Sequence, residues 1–369
     1  WLHALSMGEV VAATPVLKLV REQNPELTIA LSVTTDSGYT AALKMNIADN
    51  VFFHPLDCLP FTLLALKRIN PDLHVVTDTG FWPGLIDLLH RKKTPILLFN
   101  GRISEKSARR YLLAGSLFKD TFQKFHHFGM QNNNGEKVAL TLGVDRERIE
   151  VMGDPKYDAQ QPLTDEEKQQ LRKTFKLETG TPVWIAGSTH AGEEEIILDA
   201  HQQLTAEHPN LVLILAPRRI ERVKEVVTLL KKRNISFTLR SSLKLAETVI
   251  LLDTMGELAK VYSLGQVALI GKSLVKPGGG HSLIEPLSYG LPVLHGPFVE
   301  NIGHVADKAH ELGLAITVQD SKNIKEKVHN FLENKNLRQE LAENALSFTT
   351  EQKGASEKMA EIITKTLVI

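Results

Sequence analysis

Glu9 ends the segment Trp1-Leu-His-Ala-Leu-Ser-Met-Gly-Glu9, which reads as a strand, a turn at Ser6–Gly8 and the start of a helix. A helix N-terminus favours the ionised form of a nearby carboxylate. A carboxylate held that way can take the proton of an attacking hydroxyl as a new bond forms. The same position also suits a glutamate that does nothing but complement the helix dipole. Asp78-Thr-Gly-Phe-Trp-Pro83 follows the apolar run His74–Thr77 and forms a second strand-end loop, in which Trp82 either packs or stacks on a ligand.

The second half carries groups suited to phosphate and ribose. Gly271-Lys-Ser-Leu-Val-Lys-Pro-Gly-Gly-Gly-His-Ser-Leu-Ile-Glu-Pro286 follows the apolar run Val267–Ile270. Gly278, Gly279 and Gly280 permit close backbone approach. His281 and Ser282 are expected to open a helix running through Glu285 to Tyr289 and ended by Gly290. Free N–H groups at such a helix start fit a phosphate, and Glu285, one turn in, is placed to accept hydrogen bonds from ribose hydroxyls. A plain glycine turn, with Glu285 capping its own helix, accounts for the same residues.

Asp253-Thr-Met-Gly-Glu-Leu258 presents Met255 and Gly256 after another apolar run, although Thr254 and Glu257 also stand at capping-box spacing. Ser188 and Thr189, ahead of Glu193–Glu195, can donate to a phosphate. Arg218 and Arg219, after Leu211–Leu215, offer guanidinium groups to an anion. Four such strand ends in one half point to a nucleotide cleft.

The elements that must position these groups are short apolar runs alternating with helical patterns. Strands are expected at Leu27–Val33, Val51–Phe53, His74–Thr77, Pro95–Phe99 and Arg148–Met152, then at Val183–Ala186, Leu211–Ala216, Thr248–Leu252, Val267–Ile270, Pro292–Leu294 and Ala315–Val318. Most are apolar on both faces, as parallel strands covered by helices are. The class is therefore α/β, built of doubly wound sheets that bind ligands outside the carboxyl ends of their strands. Asp154-Pro155 and Gln161-Pro162 bracket a polar stretch before the helical pattern Thr164–Phe175. Domains 1–155 and 156–369 follow, with the last helix free to pack back on the first domain, and a cleft between two facing sheets is expected to hold the site.

A chain of 369 residues suits two cores. Lys and Arg total 43 and so do Asp and Glu, so bulk attraction to nucleic acid has no support. The single cysteine, Cys58, excludes an internal disulfide and any Cys-rich zinc site. No apolar segment is long enough to span a bilayer, and the opening Trp1-Leu-His suggests a natural chain that continues upstream. Charge is uneven, however. From Arg91 to Lys124 nine basic residues (Arg91, Lys92, Lys93, Arg102, Lys106, Arg109, Arg110, Lys119, Lys124) oppose only Glu105 and Asp120. A solvated face is the ordinary reading of such a stretch, and an anionic lipid headgroup is the functional one.

Taken in order, Trp1…His3…Ser6-Met-Gly-Glu9, Asn100-Gly-Arg-Ile-Ser-Glu-Lys-Ser107, Ser188-Thr-His-Ala-Gly-Glu-Glu-Glu195, Asp253-Thr-Met-Gly-Glu-Leu258 and the Gly-His…Glu-Pro286 loop resemble the 3-deoxy-D-manno-octulosonic acid (Kdo) transferases of lipopolysaccharide synthesis. The resemblance spans nearly the whole chain. It implies a GT-B fold and inverting transfer of Kdo from CMP-Kdo to a lipid A precursor, without a cofactor or catalytic metal. Neither an Asp-x-Asp pair nor a His-Glu-x-x-His helix is present.

On the same grounds Glu9 is the base, and Ser188, Arg218, Met255, Gly256, Gly279, Gly280, Ser282 and Glu285 hold the donor. Ser6, Asp78, Arg91, Lys92, Lys93 and Arg102 face the acceptor. The resemblance also implies work at the cytoplasmic face of the inner membrane, with any anchor upstream of this chain. Where the family usually reads Glu-Thr-Glu-Leu-Trp-Pro, this chain reads Asp78-Thr-Gly-Phe-Trp-Pro83, so Gly80 lacks a carboxylate. Arg219 replaces a histidine, Gly153-Asp-Pro-Lys-Tyr-Asp158 replaces Gly-Asn-Leu-Lys-Phe-Asp, and Ser282 stands for asparagine. Two competing readings are a UDP-N-acetylglucosamine 2-epimerase of shared architecture and a non-catalytic relative that binds nucleotide or lipid.

Overall fold

The computed structural model describes residues 1–113 and 115–367, which fall into two compact units. The first comprises Trp1–Ala159 with Gln352–Ile369, and the second Gln160–Glu351.

The first unit is built on a sheet of seven parallel strands: β1 (Leu2–Ala4), β2 (Ala30–Val33), β3 (Asn50–Phe53), β4 (His74–Thr77), β5 (Ile96–Gly101), β6 (His127–Met130) and β7 (Ile149–Val151), in the order β3-β2-β1-β4-β5-β6-β7. The second repeats the plan with β8 (Val183–Thr189), β9 (Val212–Pro217), β10 (Phe237–Leu239), β11 (Val249–Leu251), β12 (Val267–Ile270), β13 (Val293–His295) and β14 (Ala315–Thr317), ordered β10-β11-β9-β8-β12-β13-β14. Each central strand is buried on both faces, which explains why its sequence is apolar without alternation.

Chain order reverses between β1 and β4 in one sheet and between β8 and β12 in the other. At such switch points the flanking connections run to opposite faces and leave a crevice at the strands' carboxyl ends. The connections after β1 and β4 carry Ser6–Glu9 and Asp78–Gly80, the end of β8 with the turn and helix start beyond it carries Ser188–Glu195, and the loop after β12 carries Gly271–Ser282.

Two strands escaped the sequence pattern. In β6, His127 and Gly129 interrupt the apolar run. The glycine is needed because a Cβ there would stand 2.6 Å from the Met152 sulfur and 3.0 Å from the Leu98 carbonyl oxygen. In β10 every residue is half-buried, so no hydrophobic run marks this edge strand. The helix after the linker spans Asp165–Thr174, N-capped by Thr164 in a capping box with Glu167.

The terminal helix Ala355–Leu367 buries Ala355, Met359, Ala360 and Ile363 in the core of the first unit, beside Val10, Val16 and Val20 of the helix Met7–Gln23. Thr364 bonds Gln23 (3.0 Å) and Asn24 (3.3 Å), and Asp158 takes the Gly354 and Ser356 amides at 2.7 and 2.8 Å. No helix among the described residues is long and apolar enough to cross a membrane.

Candidate active site

In the first unit, Ser6 caps the helix Met7–Gln23 and Glu9 stands in its first turn. Glu9 is half-buried, and its Oε2 accepts from the Ser6 amide (2.6 Å) and from the Ser6 hydroxyl. Oε1 has no hydrogen-bond partner among the described residues. One oxygen therefore fixes the side chain while the other keeps its lone pairs for a ligand.

Across the switch point, Asp78 is buried and left-handed (φ 58°), a conformation that disfavours non-glycine residues and recurs at functional sites. Its carboxylate accepts from Arg102 Nε at 3.0 Å and from a terminal nitrogen of the same guanidinium. Burial pushes the Asp78 carboxyl above the usual carboxylate range, while Arg102 opposes the shift and Glu9 adds to it. Burial also works against the Arg102 charge, yet Asp78, Asp154 and Glu9 together hold its pKa above the ordinary value. Lys156 lies within electrostatic reach of Asp78.

In sequence Asp154 and Lys156 stand out only as part of a domain boundary and of the altered motif Gly153–Asp158, with no site role. The signal that would have found them is their place directly after a strand, β7, like every other member of the cluster.

Beneath this cluster lies a dry aromatic layer. His3, in the central strand, is fully buried, and its Nε2 accepts from Trp82 Nε1 at 3.0 Å. The ring proton therefore sits on Nδ1, which faces the Ser32 hydroxyl (3.0 Å) and carbonyl (3.2 Å). The His54 ring lies 3.8 Å from that of His3, centroid to centroid. Burial drives His3 down to about 4 and His54 to about 3, so both are neutral at physiological pH. A Cβ on Gly80 would lie 3.1 Å from His3 Cδ2, which places Gly80 directly against this layer. Trp82 thus packs, with its indole N–H satisfied.

In the second unit, Glu193 opens the helix Glu193–Glu207 and is fully buried. Its carboxylate accepts four backbone N–H bonds, from His190 (2.8 Å), Lys272 (2.8 Å), Ser273 (2.8 Å) and Leu274 (2.9 Å). It stitches the loop after β12 to the loop after β8. Glu194, also buried, takes Thr189 at 2.9 Å and Arg222 at 2.7 and 3.2 Å. Above these fixed carboxylates, Ser188 and Lys272 are left-handed (φ 58° and 61°), Arg218 is exposed, and His190 Nε2 meets His281 Nε2 at 3.0 Å.

The glycine loop departs from expectation. The helix there is a single turn, Ile284–Leu287, and His281 and Ser282 lie outside it. The Gly279 amide donates to Phe298 O (3.1 Å), that of Gly280 to Lys272 O (2.7 Å) and that of His281 to Gly271 O (3.3 Å). These three N–H groups are spent inside the fold and are not a free anion cradle. The glycines serve close packing instead. A Cβ on Gly279 would lie 2.2 Å from Asn301 Nδ2, and one on Gly280 2.6 Å from Ile302 Cδ1. Ser282 Oγ accepts from Ile284 N at 3.3 Å. Glu285 does sit on the short helix, close enough to raise the pKa of the buried Tyr262, on which burial acts first.

The capping expected at Asp253–Glu257 also differs. Asp253 reaches back to the Ser241 amide at 2.8 Å, and Thr254 donates to Glu257, whose other oxygen takes Arg240 at 2.9 Å. The loop this creates leaves Met255 60% exposed and Gly256 exposed at φ 83°.

A sequence model described as 3-deoxy-D-manno-octulosonic-acid transferase (kdotransferase) matches residues 1–159, and that of glycosyl transferases group 1 matches residues 194–348. The chain is 35% identical to the 3-deoxy-D-manno-octulosonic acid transferase of Haemophilus influenzae, over 98% of this chain and 86% of the relative. The chain belongs to the 3-deoxy-D-manno-octulosonic acid (Kdo) transferase family. It is accordingly a glycosyltransferase.

The Kdo transferase of Chlamydophila psittaci is 27% identical, over 98% of this chain and 83% of its own. A crystal structure of UDP-GlcNAc 2-epimerase from Neisseria meningitidis superposes with a TM-score of 0.66 over 100% of this chain and 98% of its own, at 16% identity. That likeness shows the fold alone, and the doubly wound units are those of the GT-B class.

Set on the Kdo transferase fold, the expected acceptor residues separate. Ser6, Asp78 and Arg102 stand with Glu9 at the carboxyl ends of β1, β4 and β5. Arg91, Lys92 and Lys93 do not join them. They end the helix Pro83–Arg91, which returns the chain to the amino end of β5 and so to the opposite edge of the sheet. Arg91 pairs with Asp87 at 2.7 Å, and Lys92 donates to Asn70 at 3.0 Å. A count of charges along the sequence could not see that strand β5 divides this basic run between two edges.

Proposed function

We propose that this chain transfers Kdo from CMP-Kdo to a lipid A precursor, with inversion, using Glu9 as general base and no metal in the chemical step. The observation that supports this reading is the half-tied Glu9 carboxylate at a helix N-terminus, beside the buried Asp78–Arg102 pair. An acceptor hydroxyl attacks the anomeric carbon of Kdo, the bond from that carbon to the CMP phosphate oxygen breaks, and the hydroxyl proton passes to Glu9 Oε1. CMP departs with the bonding electrons. The second unit supplies donor contacts: Arg218 and Ser188 toward the phosphate, Glu285 toward ribose, and the exposed Met255–Gly256 turn toward the base. Gly279, Gly280 and Ser282 shape this loop from beneath.

Lipid contact falls to other residues than Arg91–Lys93. The helix Glu105–Leu113 and its neighbour Ser116–Gln123 expose Leu112 (52%), Leu113 (87%) and Leu117 (54%) beside exposed Lys106, Arg109 and Arg110. Exposed leucines among basic side chains suit the interface of an anionic membrane, where each cation contributes about 1 kcal/mol. In this reading the reaction takes place at the cytoplasmic face of the inner membrane. Incubation with CMP-Kdo and a lipid A precursor, followed by mass spectrometry, is expected to show Kdo added to the lipid, with equal yield in excess EDTA. No product, or a yield lost to EDTA and restored by magnesium, would contradict the proposal.

A further inference from the structure

We propose that the second unit carries a binding site for a first-row divalent cation of the zinc type, formed by Glu207, His208 and His329. Glu207 ends the helix Glu193–Glu207, His208 is its C-cap, and His329 lies on the helix Ser321–Glu333 packed beside it. His208 Nε2 stands 3.0 Å from His329 Nδ1, which stands 3.0 Å from Glu207 Oε2, and one ligand atom from each residue falls within 4.8 Å of the others.

The arrangement of the atoms argues for a cation. His208 turns Nδ1 toward Glu333 Oε1, 3.8 Å away, and Nε2, the acceptor nitrogen when Nδ1 carries the proton, faces His329. Glu207 Oε2 is an acceptor too. His329 Nδ1 faces both, and a single proton on it satisfies only one neighbour well. A divalent ion at the common point satisfies all three. Tetrahedral zinc with bonds of about 2.0–2.1 Å needs ligand atoms about 3.3–3.4 Å apart, so the two 3.0 Å separations need to open by only a few tenths of an ångström.

Two imidazoles and a carboxylate are a zinc-type donor set, with a fourth position left for water. Glu333 then acts as the carboxylate that orients a ligating histidine. Lys325, 2.6 Å from Glu207 Oε1, holds the other carboxylate oxygen. With neutral histidines, Glu207, Glu333 and Lys325 leave one net negative charge for the ion to meet. The site lies where the helix from β8 has returned to the amino end of β9, the edge opposite Ser188 and Arg218. Its role is to clamp two helices, with no part in transfer.

The test is zinc titration of the EDTA-stripped full chain against a fluorescent chelator, with His329→Asn and Glu333→Gln alongside. His329 is 41% exposed on its side chain, so its replacement should leave the fold intact by circular dichroism. One zinc per chain is expected, with affinity at least tenfold weaker in His329→Asn and about tenfold weaker in Glu333→Gln. Unchanged affinity in His329→Asn, or no wild-type binding below about 100 µM zinc (~5.5 kcal/mol,), would overturn the site and leave an ion-pair network.

Discussion

Glu9 and Glu193 occupy comparable places in the two units. Each stands in the first turn of a helix that follows the first strand of a seven-stranded parallel sheet, and each looks in sequence like a carboxylate answering a helix dipole. Their surroundings separate them. Glu193 is fully buried and spends both oxygens on four backbone N–H groups. Glu9 is half-buried and spends one oxygen on Ser6. A carboxylate with every lone pair engaged is an architectural tie, because moving it strands several donors. One held by a single oxygen has the geometry kept and the chemistry left over. The first unit accordingly gathers the side chains of Glu9, Asp78 and Arg102 at its strand ends, whereas in the second unit buried acids and packed glycines fix the loops around Ser188 and Lys272.

The largest effect on stability should come from the architectural partner. Glu193→Ala leaves four backbone amides without an acceptor, those of Ser273 and Leu274 buried, and should destabilise the second unit by about 3 kcal/mol or more, read from urea unfolding. A loss under about 1 kcal/mol would mean that solvent or a rearranged loop replaces the carboxylate.

Acid should weaken both units through buried histidines, since burial drives His3 in the first and His201 in the second down to about 4. His3 titrates near 4 in the fold and near 6.5 once unfolded, so the folded state resists protonation. Stability is therefore complete above about pH 6.5, falls as pH drops toward 4, and loses nothing further from this group below that. The limit for His3 alone is about 3 kcal/mol. Urea midpoints at pH 7.5 and 5 should differ in that direction, and equal midpoints would mean that the His3–Trp82 layer opens to water.

Donor binding should depend on Glu285. Glu285→Ala is expected to weaken CMP affinity by about 1.5–3 kcal/mol in calorimetry. Unchanged affinity would return this residue to a structural role. The smallest effect is expected where sequence alone pointed most strongly to lipid. Replacing Arg91, Lys92 and Lys93 with Gln should barely change binding to anionic vesicles, whereas replacing Lys106, Arg109 and Arg110 should weaken it by up to about 3 kcal/mol at low salt and less at physiological salt. The reverse ranking would reinstate the amino edge as the lipid-facing one.

Most of the fold was legible because buried parallel strands announce themselves as runs of Val, Ile and Leu. Strand β6 was hidden by His127 and by Gly129, whose reason is Met152 pressing on it from the next strand. The positions of Glu9, Asp78, Arg218 and Glu285 at strand or helix ends could be read from local pattern. Which N–H groups remain free could not, because the partner of Gly279, Phe298, comes from another loop and that of Gly280, Lys272, from the far end of its own loop folded back on it. The division of the basic run was equally out of reach. Nothing in the composition of Arg91–Lys124 says that the chain crosses the sheet edge to edge between Lys93 and Arg102.

In the proposed reaction Glu9 is the carboxylate that takes the acceptor's proton. Its most direct test is the rate of Kdo transfer from CMP-Kdo to a lipid A precursor by Glu9→Gln, with CMP affinity and urea stability measured on the same sample. Glutamine can still accept from Ser6, so fold and CMP affinity should match wild type while turnover falls roughly 10²–10⁴-fold. Near-normal turnover with an intact fold would remove Glu9 from the mechanism.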